Sequence, residues 1–299
     1  MDRRKFISGL GLSAFALTTS GFIRYNGFQF EGDCETTSDM LGPFYRPMSP
    51  VRSNLIVGEV EGPIIKLKGT VRHDDCSTPY KGAKIELWHC DENGIYDKIS
   101  EDFKYRGTTY CDENGEYEFI TQLPIPYQDG EGTYRPAHFH FLISASEYQS
   151  LITQVYLTGD PYLTSDLSSA SKKATHRILP INEINGESVI QFDIVLAKKL
   201  KVSVSSIEKI VGNYKGIGHD KQVDLFAKDG QLWFNFNNSA IYGEPFEYKG
   251  NNHFEYIGWP DSAHFYLDFI FQMDGSVKLI ENYYWTPEDN SILEYIKAQ

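Results

Sequence analysis

Residues 124–141 read PIPYQDGEGTYRPAHFHF. Tyr127 stands in a Pro-rich turn, and two histidines follow as an H-x-H pair, His138 and His140. On a strand, positions two apart face the same side, so this pair presents both imidazoles together. Side-by-side imidazoles are either metal donors or an incident of a wet strand face, and the neighbours favour the metal. Pro136 stiffens the approach to the strand. Arg135 places a permanent cation beside it, which is useful if negative charge develops there during a reaction. A phenolate oxygen is a hard, anionic donor that, with imidazole, suits Fe(III) better than Zn(II) or Cu(I). The residues alone point to an iron site with Tyr127, His138 and His140 as candidate ligands.

Further motifs lie to either side. Upstream stand LGPFY (41–45), ELWHCDENGIY (86–96), YRGT (105–108) and DENGEYEF (112–119); downstream stand LITQVY (151–156) and GDP (159–161). With RPAHFHF they resemble, in order, the signature of the intradiol ring-cleavage dioxygenases, the catechol and protocatechuate 3,4-dioxygenase type. The likeness runs from about Thr36 to Leu196. It implies a non-haem Fe(III) held by two tyrosines and two histidines, which adds Tyr96 to Tyr127, His138 and His140. It implies a small catecholic substrate, cleaved with O2 between its two hydroxylated carbons to a muconate-type diacid. Tyr127 is then the ligand that leaves when substrate arrives and takes up a catechol proton. Arg135 stabilises negative charge on the reacting ring, and Gln154 hydrogen-bonds in the same cavity. One departure is that Leu41, rather than an acidic residue, precedes Gly42. The competing reading is an exported, non-catalytic β-sandwich binding module that kept the family's packing motifs. A third is a copper or zinc hydrolytic site built on the histidine pair alone.

Composition sets outer bounds. The 299 residues suffice for one large or two small domains, and 41% hydrophobic with 23% charged residues is the balance of a soluble globular protein. A net charge of −13 argues against nucleic acid, which needs clustered Lys and Arg. After the first 25 residues no apolar run is long enough to span a bilayer, so no membrane span is expected in the mature chain. A homo-oligomer is left open.

Residues 1–25 have the anatomy of an export signal, with Arg3-Arg4-Lys5 ahead of a short apolar stretch from Gly9 to Leu17. The paired arginines before Phe6 resemble a twin-arginine signal and imply a periplasmic or extracellular protein. In that setting disulfides are permissible. Cys34, Cys76, Cys90 and Cys111 allow three full pairings. Loop positions favour Cys34–Cys76, leaving Cys90 and Cys111 as buried thiols near the site.

Period-two alternation predicts strands at 64–71, 83–90, 115–121, 137–144, 151–157 and 188–197, separated by Gly and Asn turns. The expected fold is all-β: an antiparallel β-sandwich over 26–197 whose first 30 residues wrap it irregularly. Residues 198–204 read as a linker. Residues 205–299 read as a small accessory antiparallel β domain, with hairpins at Asp229-Gly230 and Asp274-Gly275. Asn290-Ser291 is placed as the cap of a last short helix, Ile292–Lys297.

Overall fold

The structure is a computed structural model that describes residues 23–25, 30–32 and 34–298, less 130–131, 147, 149, 199, 201, 229, 236–242 and 261. Of the N-terminal segment read as an export signal, only Ile23–Tyr25 is described, a short strand paired with Phe30–Gly32.

Two sheets form a sandwich. One has the order Ile178–Leu179, Leu151–Leu157, His138–Ser144, Lys84–Trp88, Arg106–Tyr110. The other centres on Ile64–Arg72, flanked by Glu116–Gln122 on one side and by Glu187–Gln191 and Ile194–Val195 on the other. Alternation explains the core. In Ile64–Arg72 every second residue is buried, and Leu67 and Val71 meet Ile85, Leu87, Phe139, Phe141 and Ile143 of the first sheet. The predicted strand 188–197 is two short pieces, Glu187–Gln191 and Ile194–Val195, both running parallel to Ile64–Arg72. Between them Asp193 turns back to accept the Thr70 N–H at 3.0 Å and the Arg72 guanidinium at 3.0 Å.

The first sheet is buried on both faces. His138–Ser144 sends Phe139, Phe141 and Ile143 into the sandwich and His138, His140 and Leu142 outward, yet all six are buried. Their outer cover comes from residues 39–45 and from the second domain.

That domain is a closed eight-stranded antiparallel barrel running from Gly212–Gly216 to Asn290–Lys297. Ahead of it the helix Val204–Ile210, capped by Ser203, adds Ile207 and Ile210 to the barrel core. The helix expected at Ile292–Lys297 is instead the last barrel strand, paired with both Val277–Tyr284 and Gly212–Gly216. The physical reason is closure. Only a strand there satisfies the backbone edges of two neighbours, which outweighs a local capping signal.

Cys34 and Cys76 are disulfide-bonded, and Cys90 and Cys111 are buried free thiols. Among the described residues no helix is long and apolar enough to cross a membrane.

Candidate metal centre and active site

The register of the first sheet assembles the site. One row across its outer face carries Trp88, His140 and Gln154, and the next carries His138 opposite Tyr156. The indole of Trp88 stacks on His140, with ring centroids 5.0 Å apart and planes within 8°. Tyr96 arrives from the turn after Lys84–Trp88. Asp91 closes that turn by accepting the N–H groups of Asn93 at 2.9 Å and Ile95 at 2.8 Å, an Asx turn that directs the chain back over the sheet. Tyr127 comes from a short hairpin, Tyr127–Gln128 paired with Tyr134–Arg135, in which it lies directly opposite Arg135.

Three donor atoms converge. Tyr96 Oη is 3.1 Å from His138 Nε2 and 3.1 Å from His140 Nε2, and the two Nε2 atoms are themselves 3.1 Å apart. The Tyr127 ring lies 5.7 Å from the rings of both Tyr96 and His138. All four sequence-predicted ligands therefore lie in one cluster, with Tyr96, His138 and His140 buried and Tyr127 half-buried.

The triangle fits a metal ion. His138 Nδ1 donates to the Pro136 carbonyl at 2.6 Å, which leaves a bare lone pair on Nε2. His140 Nδ1 is buried with no protein partner, so either tautomer of this ring leaves a buried polar atom unsatisfied. Donors bound at about 2.1 Å and at right angles around one ion stand about 3 Å apart, the edge of this triangle. Protonation cannot relieve the crowding. Burial, with Arg135 nearby, pushes the His138 imidazole down to about 3, and burial beside His138 holds His140 well below the usual range. Burial also raises both phenols, Tyr96 well above its ordinary value. A bound cation reverses that by stabilising phenolate.

Arg135 and Gln154 are tied together beside this pocket. The guanidinium donates to Asp166 Oδ1 at 3.0 Å and to Gln154 Oε1 at 3.0 Å. Gln154 Nε2 donates to the Met40 carbonyl at 2.7 Å, so the amide is fixed at both ends. Behind it lies a ring of groups that the sequence reading missed. Tyr156 Oη is 2.9 Å from Asp39 Oδ2, and Asp39 pairs with Arg177 at 2.5 Å in nearly complete burial. The partners are 117 and 138 residues apart in sequence, and no local spacing could have announced them. Cys90 lies in the apolar cluster with Trp88 and Tyr96, but burial pushes its thiol up to about 11, which makes it inert.

A family model described as Dioxygenase matches residues 40–198, more than half of the chain. The chain belongs to the intradiol ring-cleavage dioxygenase family. It is therefore an oxidoreductase of that family. Among curated relatives it is 32% identical over 214 residues to chlorocatechol 1,2-dioxygenase of Rhodococcus opacus, covering 62% of this chain and 80% of that protein. It is 33% identical to hydroxyquinol 1,2-dioxygenase of Corynebacterium glutamicum and 35% to catechol 1,2-dioxygenase of Candida albicans, each over 158 residues. It spans about half of those two relatives' length, 52% of each, and 47% and 46% of its own. Among solved structures, 3-chlorocatechol 1,2-dioxygenase from Rhodococcus opacus 1CP superposes with a TM-score of 0.50 at 22% identity, covering 63% of this chain and 78% of that one, a likeness of fold.

Proposed function

We propose that the protein is a non-haem Fe(III) dioxygenase that cleaves a catechol-type ring between its hydroxylated carbons with O2, giving a muconate-type diacid. The observation that carries this reading is the triangle of Tyr96 Oη, His138 Nε2 and His140 Nε2 with 3.1 Å edges, beside Tyr127 and the half-buried Arg135. Tyr96, Tyr127, His138 and His140 would hold the ion. The chemistry that a bound ferric ion supplies is activation of a catecholate ring toward dioxygen. A zinc or copper site would draw a third His, Cys, Asp or Glu to the pair; among the described residues no cluster of three such side chains exists.

The chain's own residues then have defined tasks. His138 and His140 stay neutral donors, because burial forbids their protonation. Tyr127, the less buried of the two tyrosines, would be a phenolate as a ligand of the ion and in that form would accept the proton of a catechol hydroxyl, becoming the neutral phenol. Arg135, held by Asp166 and Gln154, faces Tyr127 and offsets negative charge as it develops on the ring. Phe44, stacked 4.4 Å from Tyr96, and Trp88 keep water from the donor atoms. Residues 1–25 would export the enzyme through a twin-arginine-like route, a setting that the Cys34–Cys76 bond supports.

The test is oxygen uptake by the iron-loaded protein against a panel of catechols, chlorocatechols and hydroxyquinol, with the product identified by mass spectrometry. A diacid retaining every ring carbon and two added oxygens is expected. A semialdehyde, or no uptake on any of them, would refute the reading and favour a non-catalytic binding module.

A further inference from the structure

Residues 39–45 are sandwiched between the histidine-bearing sheet and the barrel. On the sheet side Gly42 lies against the His140 ring, Phe44 stacks on Tyr96, and Tyr45 packs on Trp88 at 5.1 Å between centroids. On the other side the barrel touches the segment at several places, Lys228 among them, with its ammonium 5.3 Å from the Tyr45 ring centroid. Trp233 lies on the outward face of its strand, opposite in parity to the core residues Leu232 and Phe234. It is 3% exposed because it joins the buried cluster of Leu41, Tyr45 and Trp88. The Tyr256 phenol, which donates to Glu244 Oε2 at 2.5 Å, comes close to the Leu41 backbone. Gly258, at φ +93°, packs on Asp39 so closely that a Cβ there would stand 2.6 Å from Asp39 Cα and press into its carbonyl.

We propose that the C-terminal barrel is a positioning element of the dioxygenase site: it seats residues 39–45 on the sheet and, through Asp39, fixes Arg135. The strut is continuous. Gly258 bears on Asp39; the Asp39 carboxylate meets Tyr156 Oη at 2.9 Å; Tyr156 Oη is 3.0 Å from Gln154 Oε1 and 3.4 Å from the Arg135 guanidinium. The catalytic part of this inference rests on the reaction proposed above. Neither Gly258 nor Trp233 touches the donor triangle, so their effect would pass through the seated segment. Loosening the segment would misplace Arg135, whose charge matters as the reaction develops negative charge, so kcat falls and KM moves little.

The experiment compares Gly258→Ala and Trp233→Leu with Gly275→Ala in the iron-loaded full chain. Gly275 shares the positive φ, at +85°, but nothing lies within 4 Å of its would-be Cβ, so it reports the backbone cost alone. Hydrogen exchange at residues 39–45 is expected to quicken about tenfold in the first two variants and not in Gly275→Ala. Their kcat is expected to fall about tenfold, with KM and iron content unchanged. Exchange that matches Gly275→Ala would overturn the seating, and faster exchange with an unchanged kcat would overturn the positioning role. Should the wild type turn over no catechol, the dioxygenase reading fails and takes the catalytic half with it, while the exchange comparison still decides the seating.

Discussion

Arg135 donates from Nε to Asp166 Oδ1 at 3.0 Å, with side chains only 11% and 8% exposed. Burial works against the Asp166 charge, but Arg135 and the Ser169 N–H hold its carboxyl below the usual carboxylate range. The pair keeps Arg135 in place beside Tyr127. Asp166→Ala leaves a buried cation without its counter-ion, which costs about 3–5 kcal/mol. The fall in kcat is expected to be about 10–100-fold, as for loss of a supporting partner at a metal site. Urea unfolding and steady-state kinetics check both. An unchanged kcat would show that Asp166 is only a structural partner.

Gly94 makes room for Tyr127. Its φ is +76°, and a Cβ there would stand 2.6 Å from Tyr127 Cβ. Gly94→Ala is expected to cost about 1–3 kcal/mol in backbone strain. It is also expected to push Tyr127 away from the pocket, with a shift in the visible spectrum of the iron-loaded protein. A destabilised variant with an unaltered spectrum would place Tyr127 outside the ligand set.

His89 gives the metal-free protein a pH dependence of known sign. Its ring is buried between the Cys90 carbonyl and Thr121 Oγ1, each at 2.7 Å, and burial pushes it down to about 3. The folded value lies below the unfolded one of about 6.5, so the unfolded chain binds the proton that the folded chain refuses. Stability is therefore complete above about pH 6.5 and declines toward pH 3, by about 1.4 kcal/mol per unit from this residue. His138, also pushed down to about 3, adds to the same limb in the absence of metal. Denaturant melts at pH 7, 6 and 5 should show His89→Asn losing about 1.4 kcal/mol per unit of slope. An unaltered slope would contradict the neutral, buried assignment.

The Cys34–Cys76 bond closes a 42-residue span that ties the start of the wrapping segment to the sandwich. Loop-closure entropy for that span gives about 4 kcal/mol. The Cys34→Ser, Cys76→Ser double variant is expected to lose roughly that much in urea unfolding. A loss below about 1 kcal/mol would mean that the reduced chain stays equally confined.

The site strands were legible because each obeys a local rule. Leu151–Leu157 and His138–Ser144 alternate or run continuously apolar, and the H-x-H pair declares its face by spacing alone. What escaped depends on distant partners. The Asp39–Arg177 pair and the outward Trp233 make sense only once three segments are packed together. The last barrel strand was misread for the same reason. Asn290-Ser291 carries a helix-capping signal, and the two strands that claim residues 290–297 begin 78 and 13 positions earlier, at Gly212 and Val277. The sandwich and donor set were thus available from pattern and resemblance, whereas the shell that orients Arg135 was not.

The most direct test of the central claim is a titration of metal-free protein with Fe(III), followed by visible absorption, on wild type, Tyr96→Phe and Tyr127→Phe. One equivalent of iron should bind with a tyrosinate-to-iron charge-transfer band that weakens and shifts in each variant. Iron bound by the wild type without such a band, or no iron bound at all, would contradict a centre built from Tyr96, Tyr127, His138 and His140.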